Sequence, residues 1–386
     1  MNIVLFDDAR RDHLLPLTYT RPIADLRIGI LTIKEKWDLI SGTVCSYKTQ
    51  DYLQEKFPIN LSEDNILVAG SIIPDHHFFS VVSKLQIGEA IFHGNELIAA
   101  RKGDASLDKE NMKFRKINFD GSLKRVMNLW DIFGLNGIAL ESDFDNLTKG
   151  RRSAEPDQSN RVIGKRLFIE EGAKVSCAVL NSSEGSIYVG NQAEIWEGSL
   201  IRGGFALCEG SSVKMGAKIY GPTTVGPYSR VGGEISNCVI QGYSNKGHDG
   251  FLGNSVLGEW CNIGADSNNS NLKNNYATVK LWDYALKAQA DTGLQFCGLI
   301  MGDHSKCGIN TMFNTGTVVG VSANIFGAGF PPTNIPSFSW GGFDQSAEYN
   351  IEKALETMER VFSRRNKPFT EIDKLLIKNV FKITRK

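Results

Sequence analysis

Several things are missing from this 386-residue sequence, and each absence removes a class of function. There is no charge excess: 43 basic residues stand against 43 acidic ones. No bulk field therefore draws the chain to nucleic acid or to an anionic membrane. No apolar run approaches the roughly 20 residues that span a bilayer. The start, MNIVLFDDARR, has no basic flank, long apolar core or small-residue cleavage site of a signal peptide. Disulfide spacing is missing too. Seven cysteines (45, 177, 208, 238, 261, 297 and 307) form no C-x-x-C pair, so reduced thiols in a cytoplasmic protein are expected. Histidine is scarce, six in all. What remains is length enough for two or three domains that bury their own cores.

Those domains differ in pattern. Residues 1–147 predict an α/β domain. Asn2–Phe6 and Asn65–Ala69 are apolar runs of strand length, Leu26–Ile40 has helical spacing, and Glu89–Ala100 reads as a hairpin turning at His93-Gly94-Asn95. The polar stretch TKGRRSAEPDQSN opens a linker over 148–164. Residues 344–386 predict two amphipathic helices separated near Pro368. Ala347, Ile351, Ala354, Leu355, Met358, Val361 and Phe362 share one face of the first, and Glu371–Ile383 forms the second. They are expected to cap the last coil of the preceding domain or to meet another subunit.

Residues 165–343 carry the strongest signal. Val189, Ile195, Ile201, Leu207, Val213, Ile219, Val225 and Val231 recur at a spacing of six. If about a fifth of positions are Ile, Leu or Val, the chance of this is on the order of 10⁻⁵ to 10⁻⁶. Four places after each comes a mostly small residue: Ala193, Ser199, Phe205, Ser211, Ala217, Thr223, Ser229 and Ile235. A period of six fits neither helix nor long strand. It fits a flat-sided coil in which each side is one hexapeptide with one inward apolar side chain. Three sides close a triangle, and stacked triangles make a left-handed parallel β-helix. The phase then slips. Phe251, Leu257 and Ile263 share a new register, with the slip placed across 238–248, and Ile300, Met312 and Val318 share a third. Residues 280–298 do not obey the hexad and must loop out of a coil. Chemistry concentrates where a regular scaffold is interrupted. His248, within NKGHDGFLGN, lies at such an interruption.

The stretch HDGFLGNSVLGEWCNIGADSNNSN (248–271) resembles the acetyltransferase domain of the bifunctional enzymes that make UDP-N-acetylglucosamine. His248, Phe251-Leu252-Gly253, Asn262-Ile263-Gly264-Ala265 and Asn271 match that pattern without a gap. The resemblance implies acetyl-CoA as donor, an amino-sugar phosphate or nucleotide sugar as acceptor, and a homotrimer with sites between subunits. His248 would be the general base, since imidazole titrates nearest neutrality and the amine must lose a proton. Arg230, Lys246, Phe251 and Asn262 are then candidates for the acceptor, and Ala265, Asn271, Lys273 and Lys280 for CoA. Three departures alter the acceptor pocket. Phe251 replaces the family tyrosine, Ser236 stands at a lysine position, and Leu272 follows Asn271 in place of tyrosine.

PLTYTRP (16–22) resembles part of the sugar-phosphate nucleotidylyltransferases. Their glycine-rich phosphate loop corresponds here to DDARRDH (7–13), which has no glycine. Their magnesium-holding aspartate corresponds to Ser71 in ILVAGSIIPD (66–75). His13, Arg21, Asp75 and Asp131 are the nucleotide-binding candidates, and Mg²⁺ enters only if this domain is active. Three readings therefore stand: a sugar N-acetyltransferase, a sugar-1-phosphate nucleotidylyltransferase with the β-helix as scaffold, and a non-catalytic sugar-nucleotide-binding or assembly protein. No protein-held metal site is expected. His76 and His77, read as strand neighbours, would point to opposite faces.

Overall fold

The computed structural model describes residues 2–103, 114–119, 121–342 and 347–385. Contacts divide the chain into two units. One comprises Met1–Leu14, Thr20–Leu26 and Leu31–Asn128, the other Leu15–Tyr19, Arg27–Ile30 and Leu129–Lys386. The division falls earlier than the expected 147, because the helix Asn136–Thr148 packs on the strand Thr223–Val225. There the Asn136 amide accepts from the Thr224 hydroxyl at 3.1 Å and donates to the Pro222 carbonyl at 2.9 Å. The boundary expected at 343/344 lies outside the described residues.

The first unit holds a six-stranded mixed sheet in the order Ser46–Lys48, Asn2–Phe6, Asn65–Ala69, Glu96–Lys102, Glu89–His93, Arg115–Ile117. Both apolar runs are strands with the expected bounds. They pair in parallel, from Asn2 opposite Asn65 to Phe6 opposite Ala69. The hairpin at 93–96 is also present. Only the second half of Leu26–Ile40 is α-helical, Ile33–Ser41. Thr32 starts it with a capping box to Glu35, and Gly42 ends it in the left-handed region. Trp37 on this helix is buried against Phe78 and donates its indole N–H to the Ile72 carbonyl.

The second unit is the expected β-helix. Three parallel sheets run along it, and each takes every third strand of the solenoid. The longest has nine strands, from Leu167–Ile169 to Asn334–Ile335. It begins at Arg161–Ile163, so the linker is shorter than 148–164. All eight residues of the hexad register are buried, as are the eight that follow them by four. Inward side chains from successive coils stack into one continuous apolar core.

Beyond Val231 the inward register runs Ile235, Ile240, Lys246, Leu252, Leu257 and Ile263, with each of the first four paired to the coil below. The slip therefore sits at 231–240 and not at 238–248. Its cause is the corner Gly232-Gly233, which joins Val231 to Ile235 in four residues where the corners directly below and above it use six, followed by a five-residue step to Ile240. Phe251 is not an inward residue; Leu252 beside it is. The third register is also displaced by one. Met301, Cys307, Phe313, Val319 and Ile325 point inward, whereas Met312 is 39% exposed.

The insertion is a hairpin, Lys280–Asp283 against Ala288–Asp291. Its base is closed by a bridge between Leu272 and Phe296, so it starts before residue 280. The C-terminal helices are Ile351–Ser363 and Glu371–Ile383. Ala347 lies in a short strand ahead of the first helix. The tail packs along a column of solenoid corners and does not merely close the end. Tyr228, Tyr243 and Trp260, each in the left-handed region, stack at 5.2 and 4.3 Å, and Phe362 lies 3.9 Å over Trp260. Among the described residues no disulfide links the cysteines, and no helix is long and apolar enough to cross a membrane.

Candidate functional site

His248 sits on the corner between the strands Asn245–Lys246 and Phe251–Gly253. The corner spends four residues, Gly247 to Gly250, directly above the abbreviated Gly232-Gly233 corner. The two surplus residues have no counterpart beneath them, and both His248 and Asp249 are exposed. Close approach explains the glycines. A Cβ on Gly233 would meet the carbonyls of His248 and Gly250. Gly250 has φ +105°, and a Cβ there would strike the Ser267 carbonyl of the next coil. The His248 carbonyl is held, while its imidazole makes no hydrogen bond or ion pair to the described residues.

Lys246 does the holding. It occupies the inward position above Val231 and is 1% exposed. Its ammonium donates to the carbonyls of Gly232 at 3.2 Å, His248 at 2.5 Å and Asp249 at 3.1 Å. Three donors meet three acceptors, so the amine is saturated. Burial pushes it down to about 8, against a partial pull upward from Asp249 and Asp266. The expectation that Lys246 binds a substrate phosphate is therefore corrected. Its side chain points into the prism and ties the histidine corner to the coil below.

Arg230 is exposed on the outward side of its strand, and its Cβ lies 4.0 Å from where a Gly247 side chain would begin. Above it in the same column comes Asn245, whose amide donates to Asn262 at 3.4 Å. Arg365 reaches this column from the C-terminal tail and donates to the Asn245 carbonyl oxygen at 3.1 Å. The sequence argument missed Arg365. It lies 120 residues away, in the basic run SRRNK, which reads as a solvated helix end. Ala265 lies on the next corner above His248, where the Asp266 N–H donates to the Asp249 carbonyl. Phe251 donates its backbone N–H to Asn268, and its ring lies over Gly253 beside the Asn271 amide. Asn271 in turn donates to Asn254 at 2.8 Å. His248, Arg230, Asn262, Ala265, Phe251 and Asn271 thus occupy neighbouring coils. Lys273 and Lys280 lie on the inserted hairpin, where the Lys273 ammonium bonds the Thr278 carbonyl and Lys280 is exposed.

The N-terminal candidates stand on different elements. Arg21 is buried and ion-paired to Asp25 at 3.5 Å. Asp75 caps the helix His76–Val82 by accepting from the Phe78 N–H at 2.8 Å. That helix corrects the strand assignment of His76 and His77. His13 lies in the short 3-10 turn Arg11–Leu14, and Asp131 belongs to the other contact unit. A different network occupies the carboxyl ends of the strands Asn2–Phe6 and Asn65–Ala69. Asp8 accepts from the Ser71 hydroxyl at 2.5 Å. The Arg125 guanidinium bonds Glu96 at 2.7 Å and Ser71 at 3.2 Å and lies 3.6 Å from Asp8. Arg10 pairs with Glu96 as well. Beside it opens a cavity of 590 Å³ lined by Phe6, Asp8, Phe92, Glu96, Leu97 and Phe114, among others. These residues do not fit a magnesium site. Two carboxylates are already balanced by two guanidinium groups, Ser71 stands in place of an aspartate, and no metal-binding cluster occurs among the described residues.

Residues 3–152 match the family model described as sugar nucleotidyl transferase. The chain is similar to the bifunctional protein GlmU of Methanocaldococcus jannaschii, with 29% identity over 268 residues. That alignment covers 69% of this chain and 57% of the relative, so the chain spans little more than half of that relative's length. Among solved structures, the polysialic-acid-specific acetyltransferase NeuO overlaps 54% of this chain and 99% of its own, at 15% identity and a TM-score of 0.29. A UDP-N-acetylglucosamine acyltransferase of Arabidopsis overlaps 60% of this chain and 99% of its own, at 14% identity and a TM-score of 0.22. A UDP-N-acetylglucosamine acyltransferase of Campylobacter jejuni overlaps 60% of this chain and 82% of its own, at 17% identity and a TM-score of 0.21.

Proposed function

We propose that the chain is an acetyl-CoA-dependent N-acetyltransferase acting on an amino-sugar phosphate or a nucleotide sugar, with His248 as the general base. The carrying observation is the exposed imidazole, unbonded within the described chain, on a corner whose backbone is tied down from inside the prism. A base must reach the substrate amine, and its backbone must not drift while the proton moves. Similarity to the bifunctional protein GlmU supports the reaction class. The active form would be a cytoplasmic homotrimer, since a corner site on a solenoid is shallow and a neighbouring copy supplies the missing wall. Sedimentation would report the trimer. The test is thiol release from acetyl-CoA with a panel of amino sugars, their phosphates and their nucleotide conjugates. His248→Ala should lower the rate at least about 100-fold, within the range general bases contribute, with the melting temperature unchanged. Full activity in that variant would remove the histidine from the mechanism.

The match over residues 3–152 supports a second role for the N-terminal unit, binding of a sugar nucleotide. The cavity beside Asp8 and Glu96 is of ordinary ligand size. Binding without added magnesium, weakened by Phe92→Ala, is the expected outcome of a sugar-nucleotide titration.

A further inference from the structure

We infer that Arg230 and Arg365, gathered around Asn245 beside the His248 corner, form a binding site for the phosphoryl group of a small-molecule substrate. This deepens the acetyltransferase reading by naming the group through which acceptor or donor is held. The two guanidinium groups come from distant parts of the chain. One stands on the solenoid strand Arg230–Val231, the other just past the helix Ile351–Ser363. The tail is pinned here by Phe362 stacked on Trp260, so Arg365 is delivered to a fixed place.

Three observations carry the inference. First, neither the exposed Arg230 nor the half-buried Arg365 has a carboxylate partner among the described residues, although Arg10 and Arg101 do. Second, the like charges crowd one another. Burial, then the charges of Arg230 and Arg364, lower Arg365 from its usual value, and Arg230 acts on Lys214 in the same sense. A fold does not gather cations on a partly dry surface without cost unless an anion offsets them. Third, Asn245 aligns the cluster. Its carbonyl oxygen accepts from Arg365, its N–H₂ faces Asn262, and its strand partner is Arg230. Planar guanidinium groups that reach the Asn245 column from two directions suit a phosphate, which accepts paired N–H donors. The Arg230 Cβ lies 4.0 Å from where a Gly247 side chain would begin, so a phosphoryl group held by its guanidinium would lie beside the His248 corner.

The test is calorimetric titration of the full-length protein with inorganic pyrophosphate at low salt. The wild type should bind it. Arg230→Gln and Arg365→Gln should each weaken binding about tenfold or more, the loss expected for hydrogen bonds between charged groups. Arg365→Lys should lose less, and Arg202→Gln, on a different face, should lose nothing. Displacement by an amino-sugar phosphate assigns the site to the acceptor, and displacement by CoA assigns it to the donor. Both outcomes support a phosphoryl site. Pyrophosphate that does not bind the wild type, or binds equally well to both glutamine variants at unchanged melting temperature, overturns the inference. The measurement needs no turnover, so a protein that transfers no acetyl group but binds pyrophosphate through these arginines would sink only the acetyltransferase reading.

Discussion

Replacing Lys246 by methionine tests how the histidine corner is built. The ammonium sits at a core position and is held below its ordinary value, at about 8 against 10.5. The native state therefore releases this proton near pH 8, while the unfolded chain keeps it until about 10.5. Between those values the unfolded state binds more protons, so stability rises with pH. Below pH 8 the wild type carries the full cost of the buried charge, on the order of 3 kcal/mol for a shift of this size. Above about pH 10.5 that cost is gone. Methionine has a similar length and no charge, so its variant lacks this slope, and ionisations common to both proteins cancel in the comparison. Stability of the wild type minus that of Lys246→Met, from urea unfolding, should rise by about 3 kcal/mol between pH 7 and 10.5. The local effect has the opposite sign. A neutral amine has two N–H donors for three carbonyls, and methionine has none. Amide exchange across Gly247–Phe251 should therefore quicken as the wild type passes pH 8, and should be fast at every pH in the variant. A stability difference that stays flat from pH 7 to 10.5, or an exchange rate indifferent to both pH and the substitution, would refute the clamp.

Two further substitutions probe the backbone and the N-terminal network. Gly250→Ala forces a side chain into φ +105° and against the Ser267 carbonyl; it should cost at least about 1–3 kcal/mol in urea unfolding and reduce acetyl transfer with it. Arg125→Ala leaves Asp8 without its guanidinium and Glu96 with Arg10 alone, and should destabilise the chain by about 3–5 kcal/mol, whereas magnesium added to the wild type should leave its melting temperature unchanged.

The solenoid was legible because one residue in six faces a narrow core, and Val189 through Val231 fill it with aliphatic side chains without exception. The register was misread where that contrast fades. Ile300 and Val318 are buried on the outward side of their strands and read as well as Met301 and Val319 on the inward side. Phe251 and Leu252 pose the same ambiguity, and only pairing across coils resolves it. Lys246 was unreadable for the opposite reason. Lysine is assigned to the surface by default, and only the carbonyl geometry of a bend shows a buried ammonium to be satisfied. Arg365 could not be placed beside Arg230 because no local pattern encodes a contact over so long a stretch of chain.

The phase slip itself explains why a lysine is buried beneath the histidine corner. A solenoid with equal coils offers equivalent corners, each covered above and below by its neighbours, and none favours chemistry over another. Shortening one corner to Gly232-Gly233 removes the support beneath the next. The four residues above, Gly247 to Gly250, keep the standard corner length over a corner two residues shorter, and His248 is exposed as Met215 is at the equivalent place in the unshortened corner 214–217. They also leave a carbonyl-lined gap inside. Apolar side chains would leave those carbonyls without donors, at a cost of about 1–3 kcal/mol for each buried one. A lysine reaching inward satisfies three at once. The deletion and the buried lysine are thus one device, so restoring the missing length offers a direct check. Two residues inserted between Gly232 and Gly233 should bring the corner back to standard size, take its carbonyl away from the Lys246 ammonium, quicken amide exchange across Gly247–Phe251 and lower acetyl transfer, while the solenoid still unfolds cooperatively.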